Sequence, residues 1–328
     1  MGLASNRSQY FDNAKFILIF LVVFGHVISP LKGKDNFLFT LYTTIFLFHM
    51  PAFILISGYF AKGYRKKGYL LKVAKKILLP YLIFQVIYSL FYYWSGQEDS
   101  LTINLLRPHW TLWFLLSAFC WNVFLYLFAK LKWYGFAISL LMGVGIGYFD
   151  QVGSFLSISR TFVFFPYFLL GFLLKPEQLK RLIKAKFSLP IGIVIMTATF
   201  ILFGTGFPKD SVSWLLGDTS YAGMGGEEWT DGLIRALQYA GTLLVVFSFL
   251  ALIPSAEFKL TVIGERTLYV YLFHGFIIQL TKAFLSDDAL DAISGQYFVL
   301  IVFSFLICLL LGSYLIKKYT KPLVELRL

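Results

Sequence analysis

Lys15 and His26 stand eleven positions apart in "DNAKFILIFLVVFGHVISP" (residues 12–30), a stretch otherwise apolar enough to enter a bilayer. Ionisable groups at membrane depth are costly and mark function by default. In a helix, eleven residues give a rise of roughly 16 Å and about three turns, which returns both side chains to nearly the same face. One stripe then offers a cation at one mouth and a titratable base deep inside, and imidazole is the side chain that exchanges a proton near neutrality. A donor with a phosphorylated head and a long thin arm suits that stripe, with its head at Lys15 and its reactive end near His26. Coenzyme A thioesters have this shape. Asp12, which opens the stretch, lies one turn from Lys15.

These residues need a membrane helix to hold them. The 328-residue chain is 58% hydrophobic, 20% aromatic and only 14% charged, with a mean hydropathy of +0.73. Soluble globules run near 25% charged, so that class is excluded. Ten mostly apolar stretches have spanning length: 14–31, 37–60, 77–94, 110–129, 133–149, 161–174, 187–204, 233–253, 262–285 and 297–316. The weakest is 161–174, short and interrupted by Pro166. A net charge of +12 would raise nucleic acid as a partner of a soluble protein. Here the cations cluster in short loops, which points to membrane orientation and anionic headgroups, and no nucleic-acid partner is expected. With the N-terminus in the cytoplasm, 22 of the 29 Lys and Arg, from Arg7 to Arg327, fall on inner segments, and 12 of the 17 acids, Glu227 among them, fall on outer ones. The positive-inside rule thus predicts ten spans with both termini cytoplasmic. The expected fold class is all-α, a polytopic integral membrane helical bundle in the cell membrane forming one domain over residues 1–328. Arg7 and Lys15 precede the first apolar run as in a signal peptide, but no small-residue cleavage pattern follows Pro30, so the segment reads as a retained helix. Cys120 and Cys308 lie inside apolar runs and read as buried inert thiols.

Of four histidines, His26, His49 and His274 fall inside expected spans. A buried neutral imidazole still needs polar partners, and three in one bundle point to a polar cavity. His109 and Trp113, in "RPHWTLWFL", lie near the outer surface, where an interfacial aromatic belt accounts for them and acceptor contact is the alternative. The inner loop "AKGYRKKGYLLKVAKK", which contains Arg65, is either a topological anchor or a contact for a phosphorylated cytosolic ligand. The outer stretch 205–231, "GDTSYAGMGGEEWTDG" within it, is rich in Gly and acids and long enough to be functional.

Four stretches in order, "YFDNAKFILIFLVVFGH", "FLFHMPAFILISGYFAKG", "SRTFVFFPYFLLGF" and "RTLYVYLFHGF", together resemble the membrane acyltransferase 3 family, and within it the fucose 4-O-acetylase-like branch. The resemblance covers essentially the whole chain. The family's first helix carries an Arg or Lys followed by ten residues and a His, here Lys15 and His26. The resemblance implies an integral membrane O-acyltransferase of about ten helices, taking an acyl group, with acetyl-CoA as donor, to a carbohydrate or glycolipid hydroxyl without a metal. It also implies that His26 is the catalytic residue. Chemistry agrees, because a sugar hydroxyl is a poor nucleophile until a base takes its proton, and a thioester then needs only that activation and support for its oxyanion. Lys15 and Arg65 would hold the donor's phosphates. His49, Arg160 and His274 match recurring family positions and join the site, as does Asp12, without a firm role. Ser57 and Tyr59 in "SGYF" are candidate oxyanion donors, against a reading of "SG" as small-residue helix packing.

Two departures bear on the resemblance. Some family members carry a C-terminal periplasmic esterase-like domain, whereas this chain stops shortly after its tenth expected helix, so acylation falls to the membrane part or to a separate partner. None of the four histidines has an Asp five positions later, the pair that soluble and some lipid acyltransferases use. Two other functions fit parts of the pattern: a transporter or flippase, since buried His and Arg also describe a solute pathway, and an O-succinyltransferase of an exopolysaccharide. Transporters usually show broken helices at corresponding positions of two halves, and the sequence has no such pairing.

Overall fold

The computed structural model describes residues 9–150, 155–226 and 228–325, so Arg7, Glu227 and Arg327 lie outside it. All regular structure among the described residues is helical. α1 (Gln9–Ile28) carries the opening motif, and α2 (Asn36–Phe60) starts where the Asp35 carboxylate accepts from the Leu38 N–H at 2.7 Å, an N-cap. There follow α3 (Leu79–Trp94), α4 (Trp113–Gly145), α5 (Ile158–Leu173), α6 (Ser188–Gly206), α7 (Asp231–Leu252), α8 (Thr267–Phe284), α9 (Asp287–Ser294) and α10 (Tyr297–Leu311). Six described helices are long and apolar enough to cross a membrane, or eight if two bent pairs, α8 with α9 and α10 with Tyr314–Val324, each count as one span. The protein is a helical membrane bundle, the form in which a chain can satisfy its backbone within lipid.

That count is smaller than the ten spans expected, for two physical reasons. The expected spans 110–129 and 133–149 merge into α4, whose Lys132 has φ 51° and ψ −124°, outside helical geometry. The Phe124 ring stacks on Phe162 at 5.8 Å, while a Cβ on Gly143 would lie 3.1 Å from the Phe162 carbonyl oxygen. A straight helix would hold residues 124 and 143 about 28 Å apart, so α4 folds back at Lys132 into two antiparallel arms. The expected span 77–94 begins inside a π-helical stretch, Ala74–Leu78, which leaves α3 with 16 residues. The segment around Pro166, weakest in the sequence, forms the well-buried α5. In the turn before that proline, the carbonyls of Thr161 and Val163 accept from Trp121 Nε1 and the Tyr239 hydroxyl, both at 2.7 Å, so neighbouring helices hold the backbone on either side of Phe162, whose carbonyl loses its helical partner at Pro166.

α2 is the central helix, with 78% of its best spanning window buried, whereas α6, at 11%, faces the surroundings. Between α2 and α5 the backbones touch: a Cβ at Gly58 would sit 1.9 Å from the Phe168 oxygen, and one at Gly171 would sit 1.9 Å from the Leu55 oxygen. Lipid gives apolar helices little reason to associate, and close backbone approach at small residues supplies the dispersion contacts instead. The Lys15 end of α1 is clamped from outside. Asn13 Nδ2 donates to the carbonyls of Pro254 at 2.9 Å and Ala256 at 2.8 Å, and Asn13 Oδ1 accepts from the Thr261 hydroxyl at 2.6 Å.

Candidate active site

His26 lies near the end of α1 opposite Lys15, and its ring is enclosed by aromatic neighbours. Ring centroids are 4.4 Å away at Trp110, 5.5 Å at His274 and 5.9 Å at Phe46. Among the described residues the imidazole makes no hydrogen bond to protein, and it is partly exposed to cavity space. The other two spanning histidines are anchored. His49 Nδ1 bonds the Ile45 carbonyl at 2.7 Å, and His274 Nδ1 bonds those of Tyr271 at 2.7 Å and Val270 at 3.1 Å. A carbonyl only accepts, so Nδ1 carries the proton in both rings, and in their neutral forms Nε2 is left as an acceptor. Among the described residues His274 Nε2 is buried without a partner, and its ring is stacked on His26.

Two cavities meet at His26. One, of about 300 Å³, is walled by Tyr42, His49, Trp113, Arg160 and Asp218. The other, of about 650 Å³, lies between residues 26–32, Trp110 and the helices α8, α9 and α10. His26, Ser29, Lys32 and Trp110 belong to both walls. A cleft of about 80 Å³ continues from the smaller chamber toward the Lys15 end of the bundle; the two share Val22, Met50 and Tyr271, and Phe53 lies one turn further on. Among the described residues no group of three His, Cys, Asp or Glu is placed to hold a metal ion.

Arg160 is held in position rather than left to swing. Its Nη2 pairs with Asp218, its Nε donates to the Leu216 carbonyl at 3.2 Å, and its guanidinium lies 5.0 Å over the Trp113 ring. Trp113 therefore lines the chamber, while His109, fixed by Ser89 at 2.8 Å and Gln85 at 3.0 Å, lines none of these cavities. Breaking the pair singly should cost more than breaking it jointly. We expect Arg160→Met and Asp218→Asn to be non-additive in SDS unfolding titrations, with a coupling energy of about 0.5–3 kcal/mol. Strict additivity would show that the two side chains do not hold one another.

The remaining sequence candidates lie at the opposite end. Lys15 Nζ is 2.6 Å from Asp12 Oδ1, with the lysine side chain partly exposed and the carboxylate nearly buried. Arg65 is exposed, and its Nε donates to the Tyr64 hydroxyl at 2.7 Å. Its loop lies at the same end as Lys15, since Phe11 packs on Tyr59 and Phe60, each at 4.9 Å. Ser57 donates back to the Phe53 carbonyl at 2.9 Å, and Tyr59 lies under Lys62 at 4.0 Å. Neither lines a cavity with His26, and the adjacent Gly58 is the small residue that packs on α5. Sequence reasoning missed Ser29, Lys32, Trp110 and Asp218. Ser29 and Lys32 follow His26 at intervals of about one helical turn, and Trp110 and Asp218 lie inside stretches the sequence had already marked.

A histidine facing cavity space on two sides, in the same helix as a distant cation, is an arrangement suited to joining substrates from opposite ends of a bundle. Residues 8–316 match the acyltransferase domain family, and the chain belongs to that family of membrane acyltransferases. Among its relatives is the nodulation protein NolL of Sinorhizobium fredii (strain NBRC 101917 / NGR234), 27% identical over 298 residues, which cover 85% of this chain and 80% of that protein. NolL of Mesorhizobium japonicum (strain LMG 29417 / CECT 9101 / MAFF 303099) is 26% identical over 294 residues, 84% of this chain and 78% of that protein. No solved structure matches the chain.

Proposed function

We propose that the protein is a cell-membrane O-acetyltransferase that moves acetyl from cytosolic acetyl-CoA to a hydroxyl of a carbohydrate or glycolipid. The observation that carries this reading is the position of His26, on the common wall of two chambers and eleven residues along one helix from Lys15. With the Lys15 end of the bundle at the cytoplasm, Lys15 and Arg65 meet the donor's phosphates, and the pantetheine arm follows the cleft past Met50 and Val22. His26 takes the proton of the acceptor hydroxyl as its oxygen bonds the thioester carbonyl carbon. The tetrahedral oxyanion then collapses, the C–S bond breaks, and the proton passes to the departing thiolate. Ser29, one turn beyond His26 and lining both chambers, is the hydroxyl we assign to support the oxyanion.

Purified protein given acetyl-CoA and candidate glycans should release free coenzyme A in step with O-acetylated sugar seen by mass spectrometry. Glycan movement across vesicles without thiol release would instead mark a transporter, and faster transfer from succinyl-CoA would change the acyl group. Lys15→Arg should keep most of the activity, while Lys15→Ala should raise KM for acetyl-CoA by roughly 10- to 150-fold, the loss of a charge-assisted hydrogen bond of about 1.5–3 kcal/mol. Equal losses in the two variants would exclude a simple electrostatic role, and Asp12→Asn reports how much of the effect passes through the ion pair.

A further inference from the structure

The larger chamber has an apolar side away from His26, formed by Leu285, Leu290, Ile293, Val299, Leu300 and Phe303, while Ser29, Gln279 and Thr281 are its uncharged polar lining; Val299 is itself 53% exposed. The neighbouring Phe298 and Leu306 of α10 face outward, so the chamber reaches a surface that bilayer hydrocarbon would cover. An apolar side open to lipid admits a hydrocarbon chain at little cost in lost hydration.

Two cations interrupt these walls, Lys32 and Lys282. They belong to the small set of basic residues that the charge pattern leaves on the outer side, where acids dominate. Nearby cations have carboxylate partners: Lys34 pairs with Asp291 at 2.5 Å, and Arg160 with Asp218. Among the described residues neither Lys32 nor Lys282 has one. Lys32 is half-buried over the Tyr42 ring at 4.6 Å, and both burial and the charge of Lys282 push its pKa down. Lys32 is a half-buried cation without a carboxylate, and Lys282, exposed at the chamber's rim, adds a second positive charge beside it, so an anion at this edge would meet both. Lys32 also lines the smaller, polar chamber, six residues and about 9 Å along the chain's helical path from His26.

We infer that the acceptor is an anionic lipid-linked saccharide, its tail in the larger chamber, its phosphate between Lys32 and Lys282, and its sugar in the smaller chamber against His26. This rests on the reading that a carbohydrate is the acceptor. A long acyl chain delivered from coenzyme A is the other hydrocarbon that could reach the space, but it enters from the Lys15 end and brings no anion to these lysines.

The test uses the full chain in phosphatidylcholine nanodiscs, with dodecyl phosphate carrying a terminal diazirine and the matched dodecanol probe. After irradiation the phosphate probe should label peptides of α9 and α10 at least tenfold more than the alcohol. Lys32→Gln with Lys282→Gln should remove that excess, and Leu300→Trp, which fills the chamber, should abolish labelling. Equal labelling by both probes, or indifference to the lysines, would identify ordinary bilayer lipid as the occupant and overturn the inference. In a second arm, the same saccharide is supplied free or linked to dodecyl phosphate. The linked form should show a KM at least tenfold lower, and the lysine double variant should lose that advantage. Equal KM values, or a preference for long-chain acyl-CoA, would overturn the lipid-linked acceptor while leaving carbohydrate acylation intact. If neither saccharide is acylated, the carbohydrate reading itself fails, and the labelling arm alone judges the chamber.

Discussion

His26→Ala should insert and fold normally while acyl transfer falls by at least roughly 10²- to 10⁴-fold, the share a positioned base supplies. Normal folding is expected because the imidazole makes no hydrogen bond to the described residues and already borders two cavities, so its removal enlarges existing space. Donor binding should persist, since Lys15, the proposed contact of the donor's phosphates, lies about three turns away. His26→Asn separates chemistry from structure: the amide can keep a hydrogen bond but cannot take a proton near neutrality. Assayed at equal amounts of folded protein, it should be as inactive as the alanine variant. Substantial transfer by His26→Asn would sink the general-base assignment. The parent enzyme should lose activity on acidification, because a protonated ring cannot accept the hydroxyl proton.

The second large effect is on folding. Gly58→Ala places a methyl 1.9 Å from the Phe168 oxygen, and Gly171→Ala does the same at Leu55. The obstacle in each case is backbone, which cannot rotate aside as a side chain can, so α2 and α5 must separate. Overpacking of ordinary cores costs about 1–3 kcal/mol, and either substitution should reach or exceed the top of that range. The yield of monodisperse protein from mild detergent should drop sharply. The double variant should be less damaged than the two single losses combined predict, because one separation relieves both clashes. Full additivity would mean that the two glycines are not in reciprocal contact.

The parts legible in sequence are those fixed by local periodicity and charge. Lys15 and His26 share a face because helical rotation alone sets their relation. The turn inside α4 shows why charge can read topology better than helix length. Lys130 and Lys132 marked an inner loop between two spans, and the chain does fold back at Lys132 although the helix is nearly continuous there. The wall around His26 was less legible. Asp218 comes to Arg160 only through the return of a loop 58 residues away, and no local pattern records that meeting. Trp113 fits an interfacial belt and an acceptor contact alike in the sequence, because an indole near a membrane surface looks the same in either role. Ser57 shows the reverse confusion, since "SG" serves equally as an oxyanion donor or a helix contact until α5 is in place.

The clamp that Asn13 puts on the start of α1 turns that helix into a caliper. Its span from the Lys15 ammonium to the His26 imidazole is set by backbone rise, and one inserted residue would swing His26 by about 100° away from Trp110. On the proposed function, chemistry and donor length are written into a single rigid element that tolerates almost no indels. On the inference drawn above, acceptor choice lies elsewhere, in Lys32, Asp218 and the α9–α10 wall, all outside α1. Such a division lets a lineage re-address its product to a new glycan by exchanging those segments while keeping the acyl-transferring cassette unchanged.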